Sequence, residues 1–313
     1  MSITARFLLF QFVIIAPFLL GTSLKKRVTD AEGTARRLIR INLIGIEPFI
    51  ALWSTWGLKL TGEMALLPLS GLFLVLAGLA FGRASLAFVP LRGRSRATFL
   101  ISSSIANHGF TMGAFICYLL MGEQGLGLAF LFLSYFLLYV FTVIFPYARS
   151  VSSGERTGIV REYVLDLQNM PLATIALGIA LQLAGVPRPA AAFPVDLFMI
   201  VSISLYYLCM GMNFTLSDML SSNRENVMLA LIKFVAVPAA AALCLSLLSL
   251  DPQVKAVILI QAFMPAAIYS VVASVLFGLD TKLASNLFAV NTLAFLFLVL
   301  PLLFVFRGYI LAP

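Results

Sequence analysis

Charge is scarce in this chain. Asp, Glu, Lys and Arg make up only 11% of its 313 residues, against 61% that are hydrophobic. A soluble protein of this length would need a far more polar surface. The balance therefore excludes a globular fold and indicates an all-α polytopic membrane protein. Cysteine is sparse too: Cys117, Cys209 and Cys244 each fall inside an apolar run, without CxxC or metal-ligand spacing. They read as small core residues, and no disulfide or metal site follows from them. No Gly-x4-Gly-Lys-Ser/Thr phosphate loop occurs, which excludes ATP as the direct driver, and no cofactor is expected. The net charge of +8 is not a sign of nucleic-acid binding, because it follows from where Lys and Arg flank the apolar segments. Histidine occurs once, as His108.

What is present is a succession of ten apolar spans. The first, Phe7–Leu24, is followed by the basic cluster Lys25-Lys26-Arg27. A signal peptide carries its charge in front, so this span is expected to be a retained helix entering from outside. Spans two to five are Ile41–Leu58 (containing Glu47-Pro48), Met64–Phe81, Arg96–Gly122 and Gly125–Ile144. The connection at 147–166 holds the longest polar stretch. It separates a first five-span half, 1–146, from a second, 167–313. Spans six to ten are Leu167–Gly185, Leu197–Leu216, Val227–Leu250, Val254–Leu279 and Leu283–Phe306. Fifteen Lys and Arg residues lie on the side of the 147–166 connection and five on the other, with Lys233 inside a span. This asymmetry puts the connection in the cytoplasm and both termini outside. Because five is odd, the second half is inverted relative to the first.

Two spans are interrupted at corresponding places. Asn107-His108-Gly109 breaks span four roughly 18 Å from Arg96, near the bilayer midplane, and Pro265 breaks span nine near its middle. An offset of 156 positions lays Gly122 on Gly278 and the Asn107–Gly109 cluster on Phe263–Pro265. Polarity at that depth is tolerated only where protein or a water-filled cavity receives it. Interrupted segments in matching positions of two halves point to a transporter's binding site. The second half-helix of span four is expected to begin after Asn107 and His108, and that of span nine at Pro265. Two helix N-termini meeting at the midplane would suit an anion. Gln261, Tyr269, Ser270 and Asn291 lie on neighbouring turns and complete the candidate lining, unless they merely knit helices together. His108 is open to three readings: carrier of a coupling proton, substrate ligand, or neutral member of a packed network.

Glu47 and Lys233 are the other charges inside spans, about 10 and 12 Å from the cytoplasmic face. Lys233 is long enough to snorkel, whereas Glu47 is short; the two could also pair. The leading function is a secondary carrier of small organic anions, carboxylates in particular. A sodium-coupled symporter of the bile-acid type is the alternative, with Glu47 alone offering a carboxylate near the midplane. An intramembrane hydrolase is a further reading, because Ser104 and His108 would share a face of an unbroken helix. No G-x-S-x-G elbow surrounds Ser104.

The run N-H-G-F-T-M-G (Asn107–Gly113), followed by Met121-Gly122, resembles the auxin efflux carrier (AEC) permeases, which carry an N-x-G-F-x-G-like run here. F-M-P-A-A (Phe263–Ala267), L-F-G-L-D (Leu276–Asp280), Pro48, Pro171 and Pro301 extend the resemblance over essentially the whole chain. It departs at His108, where the family more often has a small residue or Thr, and in having Gly instead of Pro at the span-four break. The resemblance implies ten helices in two inverted five-helix repeats, with broken helices four and nine crossing. It also implies a scaffold of helices one, two, six and seven and a mobile bundle of helices three to five and eight to ten. Related plant carriers are homodimers that move organic anions by elevator-like motion. The short central connection is similar to that of bacterial members, which implies a plasma-membrane protein in contact with membrane lipid.

Overall fold

A segment in lipid has to satisfy its own backbone, and a helix does so. The computed structural model describes residues 3–152, 170–213 and 223–311. Among these residues all regular structure is helical, apart from one isolated bridge. Six stretches are long and apolar enough to cross a bilayer: Gly33–Trp56, Gly62–Ser85, Gly113–Leu133, Val195–Met212, Arg224–Ser246 and Thr281–Val305. Phe12–Lys25, Val140–Val151 and Met170–Leu183 are shorter apolar helices. The chain is an all-α, multi-pass membrane protein. The expected cytoplasmic connection lies outside the described residues from Ser153 onward, as do 167–169 of span six and 214–216 of span seven.

In chain order the helices are α1 (Ile3–Lys25), α2 (Ala31–Gly45), α3 (Glu47–Trp56), α4 (Leu66–Ser85), α5 (Gly93–Ser104) and α6 (Gly113–Leu133). Then come α7 (Phe145–Val151), α8 (Met170–Leu183), α9 (Val195–Asn213), α10 (Asn223–Leu231) and α11 (Val237–Ser246). The last four of six residues or more are α12 (Pro252–Ala262), α13 (Ile268–Leu276), α14 (Thr281–Ala294) and α15 (Leu300–Val305). Local chemistry sets several of their ends. Asp251 caps α12 by accepting from Gln253 N at 2.8 Å, with Pro252 in the first helical position. Asp280 caps α14 by accepting from Leu283 N at 3.0 Å.

Proline shapes the interiors. Pro48 has no N–H to donate, and the helix is interrupted at Ile46 (φ −118°), separating α2 from α3 within one span. Pro146, Pro238 and Pro301 each follow a π-helical turn, at Val140–Ile144, Ile232–Ala236 and Phe295–Val299. The wider turn takes up the ring and the missing hydrogen bond. Gly122 and Gly278 have φ of 69° and 60°. This left-handed region is open to glycine, and the two are the pair that the 156-residue offset superposes. At Gly122 the run Gly113–Leu133 turns (ψ −154°), so spans four and five join without an intervening loop.

The chain forms two compact units. The first comprises Met1–Thr61, Gly109–Leu131 and Arg161–Thr215; the second comprises Gly62–His108, Phe132–Val160 and Leu216–Pro313. In the first unit α1 packs along α9, and α3 packs along α8. A Cβ at Gly21 would overlap Leu208 O, and one at Gly211 would overlap Phe18 O, so this glycine pair permits the close approach. Arg188 pairs with Glu123 and lies 4.7 Å over the Trp53 ring. In the second unit α4 packs on α5, and α14 packs against α5, α10 and α13.

Candidate functional site

The two breaks meet inside the second unit. Helix α5 ends at Ser104, and Ile105 turns extended (φ −78°, ψ 140°); α12 ends at Ala262, and Ala267 is extended in the same way (φ −75°, ψ 146°). The extended pieces pair antiparallel, through a bridge between Ala106 and Ala266. Asn107 N donates to Pro265 O at 2.8 Å, and Ala267 N donates to Ile105 O at 3.3 Å. Ala266 N is satisfied by Asn291 Oδ1 on α14 at 2.8 Å. Backbone at this depth is therefore paired by protein, as a bilayer demands.

Pro265 thus does not open the second half-helix of span nine. That helix starts at Ile268, because Pro265–Ala267 are taken up by the bridge. On span four the continuation, α6, starts at Gly113, four residues beyond Gly109.

The C-terminal ends of both first half-helices are capped by side chains. Lys233, in the π turn of span eight, donates from Nζ to Ser104 O at 3.2 Å and to Ile105 O at 3.0 Å. Its side chain is buried, so it does not snorkel. At the end of α12, His108 Nε2 lies 3.1 Å from Gln261 O. A carbonyl can only accept, so Nε2 carries the hydrogen; the neutral ring's Nδ1 then accepts from Tyr135 Oη at 2.6 Å. Gln261 Nε2 returns a hydrogen bond to His108 O at 3.2 Å, and Phe132 stands edge-on to the imidazole at 5.0 Å. Of the three readings, the network member is the one this geometry fits.

Asn107, His108, Gln261, Pro265 and Asn291 are brought together here. Ser270 lies one turn into α13 and bonds Ala267 O at 2.8 Å, while Tyr269 packs on Phe136 at 4.9 Å. Gly109 falls in the first unit, where its carbonyl accepts from Met112 N and Ala114 N at 3.2 and 3.1 Å. Glu47 also lies in the first unit, buried beside Asn42. Ser104 and His108 do not form a nucleophile–base pair. The helix ends between them, and Ser104 Oγ bonds Val75 O at 2.9 Å and Tyr139 Oη at 2.7 Å. Two buried polar atoms at the crossing have no partner: Gln261 Oε1 and Asn291 Nδ2. Tyr135 and Tyr139 escaped the sequence reading; one hydroxyl each within an apolar span was the only signal.

No curated protein matches the chain. A family model described as a membrane transport protein matches residues 159–303, a stretch holding Lys233, Gln261, Pro265 and Asn291. Over those residues, fewer than half of the chain, it is similar to membrane transport proteins.

Proposed function

We propose that the protein is a secondary carrier of small organic anions, carboxylates in particular. The substrate is held at the crossing of the interrupted spans and moved by elevator-type alternating access. The observation that carries this reading is the buried ammonium of Lys233, whose two hydrogen-bond partners are main-chain carbonyls. The C-terminus of α5 supplies roughly half a negative charge, which leaves a positive remainder that an anion would neutralise. Donors for that anion are at hand in Asn291 Nδ2 and in the N–H of Ile268, which opens α13. In the same reading the chain crosses the plasma membrane ten times as two inverted repeats, with both termini outside, and works as a homodimer. The Lys/Arg asymmetry supports the orientation, and the recurrence of Gly122 at Gly278 supports the repeat.

A thermal-shift screen of the purified protein against short carboxylates and their neutral amides, with and without sodium, tests the proposal. Stabilisation by a carboxylate, not by its amide, and in the absence of sodium is the expected result. Equal shifts from acid and amide would remove the anion site, and a strict sodium requirement would return the protein to the symporter reading.

A further inference from the structure

The first unit buries an ionisable group of its own, to which no substrate role is assigned above. Pro48 interrupts the helix at Ile46, and this bend brings Glu47 within reach of Asn42, five residues earlier, a spacing that an unbroken helix would not place on one face. Asn42 Nδ2 donates to Glu47 Oε1 at 3.1 Å and to Ser202 Oγ at 2.9 Å, with Ser202 O at 3.4 Å. Tyr206, one turn further along α9, hydrogen-bonds the same carboxyl. All three of Asn42, Glu47 and Ser202 are buried.

The donor count of Asn42 does not close. Both of its N–H groups are spent, yet its Oδ1 is buried without a partner. Turning the amide over does not help: Oδ1 could then accept from the Ser202 hydroxyl but would also face Glu47 Oε1 and Ser202 O, and both N–H groups of Nδ2 would move to the position without a partner. Nor, among the described residues, does a cation stand beside the carboxyl. The arginines of α2 (Arg36, Arg37 and Arg40) are exposed, α8 carries no titratable residue, and α3 carries none besides Glu47. On α9, Asp196 bonds Tyr118, Tyr207 bonds Thr111 O at 3.3 Å, and Cys209 Sγ bonds Ala35 O at 3.5 Å. The position of Glu47 at the start of α3 gives it a favourable helix dipole, but no full positive charge.

One hydrogen resolves both the missing donor and the missing cation. We propose that Glu47 carries a proton at neutral pH, and that Glu47, Asn42, Ser202 and Tyr206 form a proton-binding site in the first unit. The acid's Oε2–H donates to Asn42 Oδ1 while Asn42 Nδ2 donates to Oε1, a two-point acid–amide pair. Binding is the addition of a proton to the carboxylate and its release is the reverse; no other reactant takes part. Release leaves an anion without a counter-charge, so it requires a state in which water or a cation reaches α2, α3 and α9.

Infrared spectroscopy of the purified full chain at neutral pH reads the proton directly, whatever the substrate is. Glu47 is the carboxyl buried among the described residues, so one protonated-carboxyl C=O band is expected, absent in Glu47→Gln. Asn42→Leu, which keeps the carboxyl but removes its amide partner, should shift that band. Absence of the band from the wild type, or its survival in Glu47→Gln, overturns the proposal. An unshifted band in Asn42→Leu overturns the acid–amide pair. Loss of the band when choline is replaced by sodium at constant ionic strength would make this a sodium site instead.

Discussion

Glu47 and Lys233 are each 2% exposed, and the protein treats them in opposite ways. Lys233 lies in the second unit against the C-terminal carbonyls of α5, so a helix end supplies its acceptors. Glu47 lies in the first unit among an amide and hydroxyls, and its helix end favours it only as a dipole. The magnitudes decide the difference. A helix N-terminus is worth about 0.3–1 kcal/mol to a carboxylate, at most about 2, whereas burying an ion costs several kcal/mol. A proton removes that cost for the acid. For the lysine, two charge-assisted hydrogen bonds of about 1.5–3 kcal/mol each offset it. A broken helix can thus house a cation at its carbonyl end, while a buried acid without a cation is housed as a neutral group.

The largest expected effect breaks the lysine side of this contrast. Lys233→Met keeps an apolar stem but removes the donor for Ser104 O and Ile105 O. Each buried carbonyl left unpaired costs about 1–3 kcal/mol, and the crossing loses its only full charge among the described residues. Thermal unfolding in detergent should show the variant much less stable than the wild type, with carboxylate-induced stabilisation gone. Wild-type stability together with retained carboxylate binding would mean that the ammonium neither caps α5 nor serves the anion.

Next comes the crossing itself. Pro265→Ala restores an N–H next to the bridge and lets the helix of span nine run further, which competes with the pairing of Ala106 and Ala266. Insertion should survive, since both flanking segments stay apolar, but carboxylate flux into liposomes should fall strongly. Asn107→Ala is milder. It leaves the backbone bond from Asn107 N to Pro265 O intact and takes away a side-chain donor worth about 1.5–3 kcal/mol to an anion. Carboxylate affinity should drop about tenfold to a hundredfold. If it is unchanged by Asn107→Ala while Lys233→Met abolishes it, the anion lies nearer the lysine than the bridge.

Much of this arrangement was legible in the sequence, for reasons that can be located. An Asn-His-Gly cluster and a Pro in the middle of two apolar runs mark interruptions because lipid penalises both, and the two segments do meet. The reach of Lys233 is not legible: depth along a helix can be counted, but the direction of its ammonium depends on where the C-terminus of α5 falls. The start of the half-helix was placed at Pro265 by a local rule, which a non-local bridge overrides. Pro48 stands in span two, but neither the break it makes nor its consequence is legible there. Glu47 and Asn42 become neighbours only through the bend at Ile46, and Ser202 lies 160 residues from Asn42.

The smallest expected effect is on the acid side, and its smallness is the point. Glutamine has the shape of a protonated glutamate. In Glu47→Gln the amide N–H replaces the acid O–H as donor to Asn42 Oδ1, while the carbonyl still accepts from Asn42 Nδ2. If Glu47 is neutral, the exchange swaps one neutral hydrogen bond for another, each worth about 0.5–1.5 kcal/mol net, so at a pH acidic enough for the unfolded carboxyl to hold its proton too the change in stability should stay within about 1 kcal/mol. If Glu47 were ionised, the same substitution would replace charge-assisted bonds worth about 1.5–3 kcal/mol each and relieve the burial cost of an anion, and the two changes would not be expected to cancel at every pH. Detergent unfolding of wild type and Glu47→Gln in parallel, at neutral and mildly acidic pH, separates the cases. A difference that is small at mildly acidic pH and grows in favour of Glu47→Gln as pH rises to neutral fits a carboxyl that takes up its proton on folding, because in the unfolded chain it is ionised at neutral pH. A difference that is the same at both pH values, or that turns against Glu47→Gln as pH rises, fits a carboxylate in the folded protein, and would erase the contrast between the two buried charges.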